Sequence, residues 1–366
     1  MTSRLKIAII TPSLGSGGAE RVSSLISIFM SDLGYAVTIF AAYPNIDFPY
    51  KGNYVYLGHS KSNTKVYFTL VTSFLKLYRS IKKENFDFVI DFRSRRIFLI
   101  ECIFHLFIFR QVKHTIFTVH LPLLNKYIPK PWLVFGSIYR RAFALVSVSD
   151  VISKSLNELG YSNITGIKNA VNFDNIDKLK EESIIMDKPF VIAAGRMDDN
   201  IKRFNHVIEA YAASGLSKAG IHLFILGDGV VKKQLIALVD ELKCAEFVHF
   251  KGFQQNPFKY FKKAKFFILA SEFEGFPMVL IESLACGTPV VSYDCPTGPS
   301  EIIQNENNGL LVENGNIDEL TSAITRMHKD IVLYKTCRAN AVKSVKHLSF
   351  ENIKSQWQKL IESANS

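Results

Sequence analysis

Short apolar runs alternate with segments of helical spacing along the whole chain, and this alternation limits the possible folds more than any other feature. In the first half the predicted strands are Lys6–Ile10, Ala36–Ala41, Tyr54–Leu57, Phe88–Asp91, Thr115–Val119 and Leu145–Ser149. In the second half they are Phe190–Ala194, Leu223–Leu226, Val248–Phe250, Phe266–Leu269, Pro289–Ser292 and Gly309–Val312. Such alternation predicts an α/β fold with two doubly wound, Rossmann-like parallel sheets. Two such domains facing each other place a ligand cleft between the carboxyl ends of their sheets.

The length of 366 residues fits two domains at roughly 150 residues each. We predict an N-terminal domain over 1–170, a charged linker over 171–188 and a C-terminal domain over 189–349. The last segment, 350–366, is predicted as a helix that could pack back on the first domain. With 48% apolar and 21% charged residues, the composition excludes disorder of the whole chain. The five cysteines are odd in number and scattered, which favours reduced thiols in a cytoplasmic protein.

The net charge of +11 is confined to the first half of the chain. Residues 1–170 contain 21 Lys and Arg against 9 Asp and Glu, a net of +12, whereas residues 171–366 contain 23 against 24. A one-sided basic surface indicates an anionic partner such as phospholipid, nucleic acid or a phosphorylated substrate. Nucleic acid is disfavoured, because no helix-turn-helix, zinc or RNA-binding motif occurs.

Three aromatic-rich segments with basic edges lie in this first half: 65–83, 97–109 and 131–141. The second contains only 13 residues, too few to span a bilayer. Its flanking cations are Arg93, Arg95, Arg96, Arg110 and Lys113. Helices of this composition can lie flat on an anionic membrane. The alternative is that these three segments are core helices of the domain whose basic ends face water. The apolar run at the N-terminus is too short for a signal peptide. We therefore expect a cytoplasmic protein, peripherally attached to the inner face of the cytoplasmic membrane.

A glycine-rich string over 14–21 follows the first predicted strand and opens a helix. Gly17 and Gly18 would let backbone N–H groups approach an anion at the helix start. A dinucleotide fingerprint is disfavoured, because it needs glycine at position 20, where the chain has Glu20. A plain tight turn is the other alternative.

A second string, over 194–203, follows the first strand of the second half. It contains Gly195, Arg196 and Lys202 and leads into a helix. Two cations beside a helix N-terminus can hold a diphosphate without a metal ion. An ordinary pair of surface cations is the alternative.

The third string, over 270–291, is the most specific. Pro277 suits the first turn of a helix, so Glu274 lies in the preceding loop and Glu282 within the helix. The loop residues Gly275, Phe276 and Met278 offer N–H groups to an anion, and the two carboxylates can accept hydroxyl groups at opposite ends of a ligand. The alternative is a capping acid followed by an ordinary helical glutamate.

The Glu-x7-Glu spacing followed by 285–289 (Ala-Cys-Gly-Thr-Pro) resembles the signature of retaining GT-B glycosyltransferases of family four. Strings at 17–21, 195–202, 226–229 and 252–253 occur in that family's order. The stretch 294–303 is similar to bacterial enzymes that build lipid-linked oligosaccharides, capsules, O-antigens and lipopolysaccharide core. One departure concerns the family's frequent Gln-Lys-Gly, which is replaced by Ile-Lys-Arg at 201–203 although the cation is kept as Lys202.

The resemblance implies a nucleotide-sugar donor in the C-terminal domain, UDP-sugar rather than GDP-sugar, and no cofactor. Arg196 and Lys202 would neutralise the departing diphosphate, while Glu274 would hold the sugar hydroxyls and Glu282 the ribose. The remaining implied donor contacts are Gly17, Gly18, Gly195, Gly252, Phe253, Gly275, Phe276, Pro277 and Met278. No Asp-x-Asp string occurs, so a metal-bridged diphosphate is not suggested.

His120 follows the fifth predicted strand, where the family often has a histidine near the donor sugar. The resemblance further implies transfer, with retention, of a hexose or N-acetylhexosamine to a lipid-linked glycan or lipopolysaccharide acceptor. A GT-B sugar-nucleotide epimerase, which needs no second substrate, is one alternative. A non-catalytic polyanion-binding protein, which does not require Glu274, is the other.

Overall fold

In a computed structural model, residues 4–15, 17–58, 66–128, 138–184 and 188–365 are described. The chain divides into two compact units. The N-terminal unit comprises 1–170 together with 351–366, and the C-terminal unit comprises 171–350. Each unit has its own parallel sheet.

The sheet of the N-terminal unit has seven parallel strands in the order β3-β2-β1-β4-β5-β6-β7. Their bounds are β1 Lys6–Thr11, β2 Ala36–Ala41, β3 Asn53–Tyr56, β4 Phe88–Asp91, β5 His114–Val119, β6 Ala144–Ser147 and β7 Ile164–Gly166. Within the described ranges before the domain boundary, the α-helices described from end to end are α1 Gly18–Asp32, α2 Val66–Glu84, α3 Phe98–Phe107 and α4 Asp150–Glu158, and residues 138–141 are also helical. The order reverses at β1, which lies between β2 and β4. The edge strand β7 was not predicted, because three residues carry too little pattern to indicate a strand.

The sheet of the C-terminal unit has six parallel strands in the order β10-β9-β8-β11-β12-β13. Their bounds are β8 Phe190–Ala194, β9 His222–Leu226, β10 Val248–Gly252, β11 Phe267–Leu269, β12 Val290–Asp294 and β13 Gly309–Glu313. Strands β8, β9 and β11 are buried throughout, as the continuous apolar runs of a doubly wound sheet predict. The order reverses at β8, which pairs with both β9 and β11. Ligands of such sheets bind beyond the carboxyl ends of the strands at this reversal.

Eight helices of this unit fall within the described residues. Their bounds are α5 Phe173–Leu179, α6 Phe204–Ala213, α7 Lys232–Glu241, α8 Phe258–Lys263, α9 Met278–Ala285, α10 Pro299–Ile302, α11 Ile317–Lys329 and α12 Ile331–Val345. The stretch 171–188, predicted as a linker, contains α5, and the Asn172 side chain caps this helix by accepting from Asn175 N at 3.0 Å. Residues 185–187 of that stretch lie outside the described ranges.

The last helix, α13 (Phe350–Glu362), is amphipathic and packs in the N-terminal unit. Its buried residues are Ile353, Trp357 and Ile361, spaced four apart on one stripe. Ile353 and Trp357 line the same narrow apolar pocket as Val22 and Phe29 of α1. The chain therefore returns to its first unit after completing the second.

The aromatic segments 65–83 and 97–109 correspond to α2 and to α3 with the short 3-10 turn that follows it. Most of the third segment, 131–141, lies outside the described residues. Within the described ranges, each helix is too short or too polar to cross a bilayer.

Three loops of the C-terminal unit are tied together at the carboxyl edge of its sheet. Gly195 N donates to Leu226 O at 3.0 Å, and Met197 N donates to Asp228 O at 2.9 Å. Gly227 N in turn donates to Gly252 O at 2.8 Å. Gly227 has φ +127°, and a Cβ there would overlap the Gly195 carbonyl oxygen. Only glycine permits this approach of the loop after β9 to the loop after β8.

We expect Gly227→Ala to lower the free energy of unfolding by about 3 kcal/mol, because the added methyl group must displace the Gly195 backbone. Gly220→Ala is the matched control, because Gly220 also has positive φ (+70°) but has open space at the Cβ position. We expect it to lower the free energy of unfolding by only about 1 kcal/mol. Thermal unfolding followed by circular dichroism measures both. Equal shifts in the two variants would show that the loops do not depend on this close approach.

Candidate active site

Two neighbouring loops hold the strongest predicted site residues. Gly195 follows β8, and a 3-10 turn over Asn200–Lys202 ends the same loop. The other loop, after β11, runs through Ser271 and Glu274 to the start of α9 at Met278. Because β8 and β11 are adjacent, the two loops lie side by side at the carboxyl edge of the sheet.

Lys202 and Glu274 form an ion pair between these loops. Lys202 Nζ lies 2.5 Å from Glu274 Oε1, and the same oxygen accepts from Ser271 Oγ at 2.7 Å. The Glu274 residue is only 8% exposed. Gly195 lies against the Lys202 stem, since a Cβ at Gly195 would be 3.4 Å from Lys202 Cγ. The structure therefore brings together a cation, a carboxylate and a glycine that the sequence places up to 79 positions apart.

A buried turn after β12 supports the Glu274 loop from behind. Thr297 Oγ1 donates to the main-chain oxygen of Glu274. Gly298 has φ +92°, and a Cβ there would lie 2.5 Å from Pro277 Cδ and 3.0 Å from Gly275 O. This contact fixes the backbone of Gly275 and Pro277 immediately before α9.

Helix α9 begins beside the ion pair. Gly275, Phe276, Pro277 and Met278 are all buried at its start, and Pro277 is the extended N-cap residue. The helix N-terminus adds partial positive charge close to Glu274. Glu282 lies one turn further along and is buried. Burial raises the pKa of the neighbouring Cys286 thiol, and the Glu282 carboxylate raises it further.

Two predicted donor contacts point outward instead. The Arg196 side chain is 63% exposed, and its guanidinium Nη1 lies 4.0 Å from Asp198 Oδ2. Phe253 is 66% exposed and follows Gly252, whose φ is +70°. Arg196 and Phe253 therefore share the carboxyl edge with Lys202 and Glu274, but the ion pair itself is built without them.

In the N-terminal unit, Gly17 is the N-cap residue of α1 and Gly18 its first helical residue. A Cβ on Gly17 would overlap the Glu20 carboxylate, whereas Gly18 has open space at that position. An acid at the third helical position, folded back on the N-cap, is typical of a capping box. A larger residue at 17 would require the flexible Glu20 side chain to move, so Glu20 alone does not require glycine at this position.

His120 directly follows β5 and is buried. Its ring stacks on Phe92, with centroids 5.4 Å apart and an interplanar angle of 25°. Burial, with a smaller contribution from the Arg95 charge, lowers the pKa of His120 to about 3. Its Nε2 atom has no hydrogen-bond partner among the described residues. The imidazole is therefore neutral at physiological pH.

The interpretation of Arg93 and Arg95 as basic membrane flanks is wrong, because both side chains turn inward. Arg95 is fully buried, donating to Thr118 O and to Tyr127 O, each at 2.9 Å. Arg93 pairs with Asp91 at 2.9 Å and with Glu101 at 3.1 Å. A signal was present in the sequence: Glu101, in an otherwise apolar helix, requires a cation when buried. Within the described ranges, no three His, Cys, Asp or Glu side chains are placed to hold a metal ion.

His120 makes the stability of the N-terminal unit depend on pH. The pKa of His120 is lower in the folded chain than the ordinary 6.5. The contribution of the neutral imidazole to the free energy of unfolding is therefore complete above pH 6.5 and is lost as the pH falls towards 3. Between pH 7.5 and 5.5, we expect the wild-type protein to lose about 1.4 kcal/mol more unfolding free energy than His120→Phe. Urea titrations at the two pH values measure this difference. An equal loss in both proteins would place the pKa of His120 near its ordinary value.

Two family models match the chain in succession. Glycosyltransferase Family 4 matches residues 16–175, and Glycosyl transferases group 1 matches residues 174–344. The chain is 39% identical over 188 residues to N-acetylgalactosamine-N,N'-diacetylbacillosaminyl-diphospho-undecaprenol 4-alpha-N-acetylgalactosaminyltransferase of Campylobacter jejuni. That match covers 51% of this chain and 49% of the relative, so the chain spans about half the length of this curated relative.

Two further proteins match over nearly the full length. The amylovoran biosynthesis glycosyltransferase of Erwinia amylovora is 22% identical over 357 residues, covering 94% of this chain and 96% of the relative. The pneumococcal O-GlcNAc transferase, solved in complex with UDP and GlcNAc, has a TM-score of 0.79 at 13% identity and covers 99% of both chains. That likeness shows the GT-B fold. Since the two family models follow one another along 16–344 on this fold, the chain belongs to the GT-B glycosyltransferases of family four.

Proposed function

We propose that the protein is a retaining glycosyltransferase of bacterial surface polysaccharide synthesis. It transfers a hexose or N-acetylhexosamine from a UDP-sugar to a lipid-linked glycan or lipopolysaccharide acceptor. The observation that carries the proposal is the 2.5 Å pair of Lys202 and Glu274 beside the start of α9. This pair puts a cation for a leaving diphosphate next to a carboxylate for sugar hydroxyls.

Lys202 and α9 supply positive potential where negative charge develops. When the bond between the sugar and the diphosphate oxygen breaks, that charge collects on the departing UDP. Preorganised charges and dipoles at such a position stabilise the transition state without reorganising during the reaction. The ion pair to Glu274 holds the Lys202 ammonium in place, so little ordering remains when the donor binds. In this proposal the diphosphate is bound without a metal ion, by Lys202, the start of α9 and the predicted second cation Arg196.

Glu274 has a free hydrogen-bonding edge for the donor sugar. Its Oε1 accepts from Lys202 and Ser271, while Oε2 has no hydrogen-bond partner among the described residues. A carboxylate oxygen in a shielded site is a strong acceptor for a sugar hydroxyl. Glu282, one helical turn beyond Met278, is assigned to the ribose of the nucleotide.

The donor and acceptor classes rest on the relatives. The pneumococcal structure contains UDP and GlcNAc, which supports a UDP-sugar donor. The Campylobacter jejuni relative is named for a diphospho-undecaprenol substrate, which supports a lipid-linked acceptor. Retention of configuration is the expectation for the family.

The N-terminal unit is proposed to dock on the anionic inner face of the cytoplasmic membrane through α2 and α3. These helices touch through Phe74 and Phe104, whose ring centroids are 5.5 Å apart. Their exposed apolar side chains, with Ile97 just before α3, are Leu70, Val71, Leu75, Ile97, Leu99, Ile103, Leu106 and Phe107. An apolar surface of this kind on one pair of helices is typical of an interaction site.

The charges around this surface favour an anionic bilayer over a protein partner. Exposed cations on or next to the two helices are Lys76, Arg79, Lys82, Lys83, Arg96, Arg110 and Lys113. Glu101, the acid within α3, is buried against Arg93 and adds no negative charge to the surface. Apolar side chains ringed by Lys and Arg suit the boundary between headgroups and acyl chains.

We expect Glu274→Gln to lower the rate of nucleotide release by 10²–10³-fold, because it removes the charge that orders Lys202 and accepts the sugar hydroxyls. The assay uses UDP- and GDP-sugars, with and without EDTA and with and without a lipid-linked acceptor fraction. Glu241→Gln, at an exposed position of the same unit, is the control and should leave the rate unchanged.

The other outcomes of this assay distinguish the alternatives. Acceptor-independent turnover would favour a sugar-nucleotide epimerase or hydrolase. Loss of activity in EDTA would contradict metal independence. If the wild-type protein neither binds nor releases a nucleotide, the enzyme proposal fails and a polyanion-binding protein remains.

We expect Leu99→Glu to weaken binding to phosphatidylglycerol-containing vesicles about tenfold, because it places a negative charge on a side chain that is 69% exposed. Co-sedimentation with anionic and with zwitterionic vesicles, at low and high salt, measures the effect. Val332→Glu, 77% exposed on α12 of the other unit, is the matched control. Equal weakening of vesicle binding by both substitutions would show that α2 and α3 do not form the membrane contact. Equal binding to anionic and zwitterionic vesicles would show the same.

A further inference from the structure

Arg203 has a backbone conformation that L-residues rarely adopt. It follows Lys202, precedes the first residue of α6 and lies in the left-handed region, with φ 42° and ψ 49°. A side chain is disfavoured there, and glycine has no such penalty. An arginine at this position therefore needs a compensating contact.

The Arg203 side chain closes a ring of four contacts between three loops. Its Nη2 lies 3.7 Å from Glu272 Oε1, and its Nη1 donates to Asn314 Oδ1 at 3.2 Å. Asn314 Nδ2 donates to Glu272 O at 3.2 Å, so the amide bridges the arginine and the Glu272 backbone. Glu272 N donates to Ile201 O at 2.7 Å and completes the ring.

The ring includes the immediate neighbours of the ion pair. Ile201 and Arg203 flank Lys202, and Glu272 lies two residues before Glu274. Any shift of the Glu272 backbone against the Ile201 backbone would change the distance between Lys202 Nζ and Glu274 Oε1. The side-chain contacts of Arg203 and Asn314 resist that shift, and so does the Glu272–Ile201 backbone hydrogen bond.

We infer that Arg203 is a positioning residue, which sets the spacing of Lys202 and Glu274 by fixing the Glu272 loop to the turn that carries the lysine. The inference rests on the proposed function for its effect on catalysis. Stability alone does not explain the arginine, because the Glu272 side chain is exposed and exposed ion pairs contribute little. A forked guanidinium that contacts two acceptors at once supplies direction as well as charge.

The decisive variant is Arg203→Gly, which relieves the backbone and removes the ring at the same time. We expect its unfolding midpoint to stay the same or to rise by about 1–2 °C. We expect kcat to fall about tenfold with little change in KM, since small misplacements at a reacting centre act mainly on the transition state. Arg203→Lys keeps the charge but not the forked guanidinium. Its kcat should lie between those of Arg203→Gly and the wild-type protein.

Lys243→Gly is the matched control. Lys243 also has positive φ (54°) in the same unit, and it lies just after α7, outside the ring. The substitution gives the same backbone relief, so its midpoint should match or exceed that of the wild-type protein while kcat stays unchanged. A similar fall in kcat for Lys243→Gly would mean that glycine at such positions harms the unit generally, and would overturn the inference.

Hydrogen–deuterium exchange gives a readout that does not depend on turnover. We expect the peptide over 270–276 to exchange at least threefold faster in Arg203→Gly than in the wild-type protein or in Lys243→Gly. Asn314→Ala should produce the same change, and adding it to Arg203→Gly should have little further effect, because both break one ring. Wild-type exchange in Arg203→Gly would overturn the inference whether or not the wild-type protein releases a nucleotide, so this failure is distinct from a failure of the proposed function.

Discussion

The ion pair of Lys202 and Glu274 is the contact on which the carboxyl edge of the C-terminal unit depends. Neither side chain is fully solvated, so each needs the other to offset the loss of water. Their pairing brings the loops after β8 and β11 together, and the turn at Thr297 and Gly298 holds the second loop in place. Glycines allow this convergence, because a Cβ at Gly227 or Gly298 would collide with a neighbouring loop.

The N-terminal unit also has charged groups in its interior, and these form a buried network around Asp91. Asp91, at the end of β4, contacts both Arg93 and Arg95, and the Arg95 guanidinium ties β5 to the loop at Tyr127 through two main-chain carbonyls. A buried ion network of this kind adds little net stability, because desolvation offsets the attraction. It holds the Thr118 carbonyl near the end of β5, two residues before His120, which stacks on Phe92 and stays neutral.

Sequence periodicity predicts the fold well because most strands are buried on both sides, as in β8 and β9, and so appear as continuous apolar runs. Predicted strand ends differ from the structure by at most two residues. Motif order places Lys202 and Glu274 in loops that directly follow predicted strands, but their pairing depends on the adjacency of β8 and β11, which only the sheet order shows. The orientation of Arg93 and Arg95 could not be predicted in the same way, because a cation beside an amphipathic helix can face either water or a buried acid. The left-handed backbone at Arg203 could not be predicted either, because it depends on acceptors at Glu272 and Asn314, which are 69 and 111 residues away in the sequence.

The distribution of charge supports the two kinds of anion recognition that are proposed for this chain. In the C-terminal unit, cations are matched locally by acids, as in Lys202 with Glu274 and Lys232 with Asp228, so the net charge is close to zero. A diphosphate would therefore be recognised there by one ordered ammonium and the start of α9, both at short range. The N-terminal unit instead carries an unbalanced excess of cations, since residues 1–170 contain 21 Lys and Arg against 9 Asp and Glu. Such an excess acts over about one Debye length, roughly 8 Å at physiological salt, which suits an extended charged surface better than a single ligand.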